Sequence, residues 1–164
     1  MRSLLLSLLL VVSLGTLGFS QAGYYQFSSG AGVLEVHPVS GVTTLVAAAS
    51  ADGASALNNI GFTFSYAGTA YTQLSASANG LMRLGSPAVT TENANNFTSG
   101  TNVPKIMAFW DNMATGTNAS GSAVRTWTVG TTPNRKKVVD YKLASNNVTT
   151  APWDFQFQVW IYET

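Results

Sequence analysis

The sequence predicts an all-β fold, a two-sheet antiparallel sandwich or jelly roll of about ten short strands. Three observations predict it. Apolar and polar residues alternate in short runs, and no stretch of helix length sustains apolar residues at i, i+3, i+4 and i+7. Gly, Asn, Pro and Ser punctuate the runs at the spacing that turns require. Charged residues make up only 9% of the chain, while Ser and Thr number 36 (17 + 19) and Gly 15, a mixture suited to strands with exposed hydroxyls.

In chain order the candidate strands are Tyr24–Ser28, Val33–Pro38, Thr43–Ala47, Ile60–Tyr66, Ala70–Ser77, Leu81–Leu84, Lys105–Trp110, Val124–Val129, Lys137–Leu143 and Phe155–Tyr162. In "IGFTFSY" the residues Ile60, Phe62, Phe64 and Tyr66 share one face, the pattern of a strand with one side buried. "DFQFQVWIYE" repeats it, with Phe155, Phe157, Val159 and Ile161 inward and Trp160 and Tyr162 on the other face beside Gln156 and Gln158. "KIMAFW" is apolar on both faces, which predicts a central strand covered on both sides. The segments between, such as "ASADGASALNN" and "TTENANNFTSGTN", are rich in turn formers and read as surface loops.

Asn79-Gly80 lies between two strand candidates and marks a hairpin. A two-residue loop would put Ser75 and Ser77 on the face of Leu84 and Met82. A three-residue loop, Ala78-Asn79-Gly80, instead aligns Leu74 and Ala76 with Leu84 and Met82, and sends Ser75 and Ser77 to the face of Arg83 and Leu81. The second register sorts the faces and places Gly80 in the left-handed region.

The first 22 residues read as a cleavable signal peptide: Arg2, an apolar run from Leu4 to Val12, and small residues near Ser20 to Ala22. The run is short of the roughly 20 residues that a membrane span needs, so no membrane insertion is expected after cleavage. Residues 23–164 are then one β-sandwich domain, secreted or at the cell surface. Absence of Cys excludes a disulfide framework and a thiolate metal site, and export without Cys leans bacterial. Without Arg2, seven basic side chains (8 − 1) face seven acidic ones, so no net field draws the chain to nucleic acid.

The inventory for catalysis is thin, and no catalytic residue, cofactor or metal ion is assigned. His37 is the single His, with no Gly-x-Ser-x-Gly elbow in the chain. The acidic residues are scattered rather than paired. Asp111, in "FWDN", either caps its own loop or serves as a weak calcium ligand, one Asp and one Asn being short of the six to eight oxygens that calcium takes. Asp52-Gly53 is first a turn. Among the aromatic residues Trp110, Trp127, Trp153, Trp160 and Tyr162, the pair Trp160 and Tyr162 is the candidate ligand contact, since stacking on sugar rings needs exposed rings. "NRKK", at Asn134–Lys137, reads as a solvated hairpin tip. The three Asn-x-Ser/Thr triplets, at Asn96, Asn118 and Asn147, are about as many as chance supplies.

Taken in order, "IGFTFSYAGTAYTQLSASANGLMRLGS", "KIMAFWDNM", "VRTWTVGTTPNRKKVVDYK" and "FQFQVWIYET" resemble a β-sandwich domain near the N-terminus of large secreted or surface proteins of the Bacteroidetes. Such proteins often carry fibronectin type III modules and use type IX secretion. The Phe-x-Phe, Asn-Gly and Phe-Trp-Asp segments are more distantly similar to nidogen-like extracellular domains. The resemblance implies a non-catalytic module for adhesion or for binding surface glycans or proteins. It makes Asn79, Gly80, Trp110, Asp111, Pro133, Asn134 and Arg135 signature positions of structural type. Asp140 departs from the pattern, which tends to Gln or Glu there, and the pattern usually runs on through a further strand. The domain is accordingly read as truncated at its C-terminus, with a last strand whose edge is open to a missing segment or another chain. The alternative is a secreted hydrolase or its accessory domain, which needs His37 or Asp111 in a cleft with partners.

Overall fold

The computed structural model describes residues 25–115, 122–145 and 154–163. The leader lies outside them, as do Trp153 and the triplets at Asn118 and Asn147. Contacts divide the chain into Met1–Ala31 and Gly32–Thr164, and the described residues of the first unit, 25–31, carry no strand. The second unit holds nine strands among its described residues: β1 (Thr43–Val46), β2 (Asn58–Tyr66), β3 (Thr69–Ala76), β4 (Met82–Leu84), β5 (Lys105–Ile106), β6 (Met113–Ala114), β7 (Ala123–Val129), β8 (Lys136–Ser145) and β9 (Asp154–Tyr162). No described helix is long and apolar enough to cross a membrane.

Two antiparallel sheets pack face to face. One has the order β2-β3-β4-β5; the other runs β1-β7-β8, with β9 and the short β6 also paired to β8. The alternating residues read from the sequence meet between them: Ile60, Phe62, Leu74, Ala76, Met82 and Leu84 from the first sheet, Val124, Val139, Tyr141, Leu143 and Ile161 from the second. Burying each large apolar side chain of this set contributes about 1.5–3 kcal/mol. Tyr141 is fully buried and stacked on Phe157 at 4.7 Å between centroids, and burial pushes its hydroxyl well above the ordinary range.

The Asn-Gly hairpin has the face-sorting register. Leu74 faces Leu84, Ser75 faces Arg83 and Ala76 faces Met82. Ser77 N–H donates to the Leu81 carbonyl at 2.9 Å and closes a loop of Ala78, Asn79 and Gly80, with Gly80 at φ +78°. Its second face is not solvated, however. Ser75, Ser77 and Leu81 are completely buried, because residues 86–112 fold back over that face and bring Val89, Met107 and Trp110 onto Leu81. Ser75 Oγ accepts the Val89 N–H at 2.7 Å, so this hydroxyl on the hairpin's second face is the anchor of this cover.

The cover also corrects the expectation for "KIMAFW". Only Lys105 and Ile106 pair, at the edge of the four-stranded sheet, and no central strand forms. The segment is apolar on two faces because Ile106 packs on the main core while Met107 and Trp110 pack on the hairpin's back. Trp110 Nε1 donates to the Glu92 carbonyl at 2.9 Å, and Lys105 Nζ lies 5.0 Å from the indole centroid while bonding the Glu92 carboxylate at 3.0 Å. Burial acts to raise the Glu92 carboxyl, but hydrogen bonds from Lys105, Asn102 and Ser99 outweigh it and hold the group below the ordinary range.

Two further expectations change. Residues 25–28 and Val33–Pro38 form no strand, whereas β6 had no periodic signal because it is two residues long. The "NRKK" turn is only partly a solvated tip. Asn134 is exposed, but Arg135 makes a fork to Glu163, with Nε to Oε2 at 2.7 Å and Nη2 to Oε1 at 2.6 Å, while Nη1 reaches the Gly61 carbonyl of β2 at 2.8 Å. One guanidinium thereby ties the start of β8, the end of β9 and an irregular stretch of β2 together.

Hydrogen bonds from Arg135 hold the Glu163 carboxyl below the ordinary range. A depressed carboxyl contributes stability above its unfolded-state pKa and loses it as the pH falls through the folded-state one. Glu163→Gln is therefore expected to lower the thermal midpoint at neutral pH, with the difference from the parent shrinking between about pH 5 and pH 2. Melting curves across that range check it, and a difference that stays constant into acid would count against the clamp.

Candidate functional site

The outer face of the five-stranded sheet is where exposed side chains converge. Register places its residues in rows across β7, β8 and β9: Arg125, Asp140 and Gln158; then Trp127, Val138 and Trp160; then Val129, Lys136 and Tyr162. Lys142 and Gln156 face each other one row before Arg125. Polar rows thus occupy one end of the face and aromatic residues the other, and from Gln156 to Tyr162 the strand covers about 20 Å.

Residues 33–38, strand-like in sequence, cross this face as a strap. Gln158 binds it. Its Oε1 accepts the Glu35 N–H at 2.8 Å and its Nε2 donates to the Glu35 carbonyl at 2.9 Å, so one side-chain amide replaces a strand partner. The same Nε2 donates to Asp140 Oδ1 at 2.9 Å, and the same Oε1 accepts Trp160 Nε1 at 2.8 Å. All the hydrogen-bonding capacity of this amide is used. The Glu35 carboxylate pairs with Lys136, whose Nζ lies 4.0 Å from the Trp160 centroid and 5.8 Å from that of Tyr162.

Beside the strap is a groove of about 350 Å³ lined by His37, Arg125, Asp140, Lys142 and Gln156. Asp140 is almost fully buried, and its Oδ1 accepts from Gln156 at 2.7 Å as well as from Gln158, which fixes the carboxylate in place. His37 is exposed and sets its ring edge-on to Trp127 at 5.4 Å. Trp127 is 2% exposed, so it is the floor of the face rather than a stacking surface.

The residues singled out by sequence separate into two groups. Tyr162 is 51% exposed and Trp160 partly covered, both on the outer face of β9. Asn79, Gly80 and Trp110 are buried at the hairpin and its cover. Asp111 is exposed, its Oδ1 accepts the Asn112 N–H at 2.7 Å, and its own N–H donates to the Asn79 carbonyl at 3.3 Å. Among the described residues no three His, Cys, Asp or Glu side chains are grouped as metal ligands would be. Sequence reasoning placed Gln156 and Gln158 on the face of Trp160 and Tyr162 but missed Arg125 and Lys142 as their neighbours; the signal of these two was an outward polar position in two other strands, unreadable without the register.

A family match decides the kinship, since NIDO-related domains match residues 24–164. The chain belongs to the NIDO-related family. No curated protein and no solved structure matches it. NIDO-related domains are typical of extracellular proteins, which fits an extracellular, non-catalytic type of module. The more distant of the two resemblances, to nidogen-like domains, is the one the match supports.

Proposed function

We propose that this NIDO-related domain is a secreted, non-catalytic attachment module of a larger bacterial cell-surface protein, of the kind found in the Bacteroidetes, and that it binds surface glycans on the outer face of β7, β8 and β9. The observation that carries this is the pairing of an aromatic end, exposed Tyr162 beside partly covered Trp160, and a groove of planar polar groups from His37, Arg125, Asp140 and Gln156 on one face. Sugar recognition needs both: a ring face for the apolar side of the pyranose and fixed donors and acceptors for its hydroxyls. The two amides on Asp140 preorganise that carboxylate, which lowers the ordering cost of binding. The alternative, a secreted hydrolase or its accessory domain, calls for a second carboxylate or a serine beside His37.

Glycan arrays and polysaccharide pull-downs test the proposal. Tyr162→Ala and Trp160→Ala are each expected to weaken binding by about tenfold or more, with the fold intact by circular dichroism. Absence of binding to every glycan, or binding unchanged in both variants, would overturn it.

A further inference from the structure

The covered face of the Asn-Gly hairpin holds more positive charge than it balances. Register sets Ser75, Arg83 and Lys105 in one row across β3, β4 and β5. Both cations of the row are enclosed: Arg83 is 9% exposed and the Lys105 side chain 5%. Residues 86–112, which fold over this row, bring two carboxylates, and neither serves Arg83. Glu92 accepts from Lys105 Nζ on Oε1 at 3.0 Å and from Asn102 Nδ2 on Oε2 at 2.9 Å. Asp111 is exposed and turned to the Asn112 N–H. Among the described residues the Arg83 guanidinium has no ion-pair partner. Its Nε is buried without a hydrogen bond, and its Nη2 makes one long contact, 3.4 Å, to the Ser86 carbonyl.

A buried cation without a counter-charge is among the costliest arrangements that a protein interior holds. Unlike a buried amine or carboxyl, a guanidinium does not escape by becoming neutral. Water can occupy its donors but brings no charge, and Lys105 in the same row adds repulsion. We infer that Arg83 is the seat of a small oxyanion, a carboxylate, sulfate or phosphate group, bound beneath the start of the cover. The planar fork of an arginine matches two oxygens of such a group. Since Nε is closed off, the anion meets the terminal nitrogens, and the way in passes Ser86 and Pro87, both exposed. The cover is already fastened to Ser75 through Val89, and Trp110 to Glu92, so the seat is formed before the anion arrives. This seat lies on the four-stranded sheet, apart from the outer face of β7, β8 and β9, and stands independently of glycan binding there.

Thermal unfolding of the exported protein in sodium sulfate, phosphate, acetate or glucuronate, against sodium chloride of equal ionic strength, tests the inference. At least one of these anions is expected to raise the midpoint saturably, by about 3 °C or more at millimolar concentration. A response to glucuronate alone would identify the group as that of an acidic sugar, and a response to the inorganic ions would identify a free anion. Arg83→Met keeps the stem and removes the charge; it is expected to be at least as stable as the parent in chloride and to lose the response. Arg83→Lys keeps the charge without the fork and is expected to need about tenfold more anion. General exclusion of sulfate from protein surfaces stabilises parent and variants alike, so only the difference between them counts. Nuclear magnetic resonance on the parent needs no substitution, and a saturable shift of the Arg83 Nε–H signal is expected. No response to any of the anions, an equal response in Arg83→Met, or an Nε–H signal that does not move would overturn the inference.

Discussion

Gly80→Ala is expected to destabilise the domain by about 3 kcal/mol, and to lower its thermal midpoint by about 10 °C. Two effects add. At φ +78° any residue with a Cβ incurs about 1–2 kcal/mol of left-handed strain. A Cβ there also lies 1.9 Å from the Phe109 carbonyl oxygen and 2.6 Å from Met113 Cε. The methionine end can swing aside, but the carbonyl is main chain and moves only with the cover segment around it, at the roughly 1–3 kcal/mol typical of overpacking. Gly41 separates the two effects, having φ +74° and no atom within 4 Å of such a Cβ. Gly41→Ala is expected to lose only the strain, about 1 kcal/mol. Equal losses in the two variants, measured by denaturant or thermal unfolding, would show that close approach to Phe109 contributes nothing.

Asn79→Ala is expected to cost about 2 kcal/mol, in the same measurement. Asn79 is completely buried, and its Oδ1 accepts the Met113 N–H at 2.9 Å. Truncation leaves that buried N–H without a partner, and an orphaned donor costs about 1–3 kcal/mol. The opposite end of the amide contributes less, since Nδ2 reaches Asp52 at a long 3.4 Å. Asp52→Ala is therefore expected to change stability by about 0.5 kcal/mol or less. If it matched Asn79→Ala, the amide's main task would be holding Asp52 rather than the backbone at the start of β6. Asn79 and Gly80 act together, one tying the hairpin tip to Met113 by side chain, the other letting the Phe109 carbonyl approach.

This division explains what could be read from the residues alone. Strands with one buried face, β2 and β9, announce themselves because period 2 is set by one interface. The hairpin register followed from the same logic, even though its polar face is buried, since Ser75 and Ser77 still had to lie opposite Leu74 and Ala76. "KIMAFW" misled because its two apolar faces serve two separate clusters rather than one central strand. The strap at Val33–Pro38 misled because its backbone is held at Glu35 by the Gln158 side chain, and such a bond leaves no periodic trace. In the candidate site, Trp160 and Tyr162 were legible from alternation in one strand. Arg125, Asp140 and Gln156 were not, because they are neighbours only through the pairing of three strands.

The strap over one sheet and residues 86–112 over the other make part of this domain four layers thick rather than two. Segments with almost no regular secondary structure, β5 apart, form both outer layers and work as roofing. That arrangement separates two evolutionary burdens. The inner layers must keep their volume, while each roof can be exchanged as a unit provided that its few fastenings, Gln158 on one side and Ser75 with Asn79 on the other, are respected. A fold built this way can change what its surface offers without reopening its core.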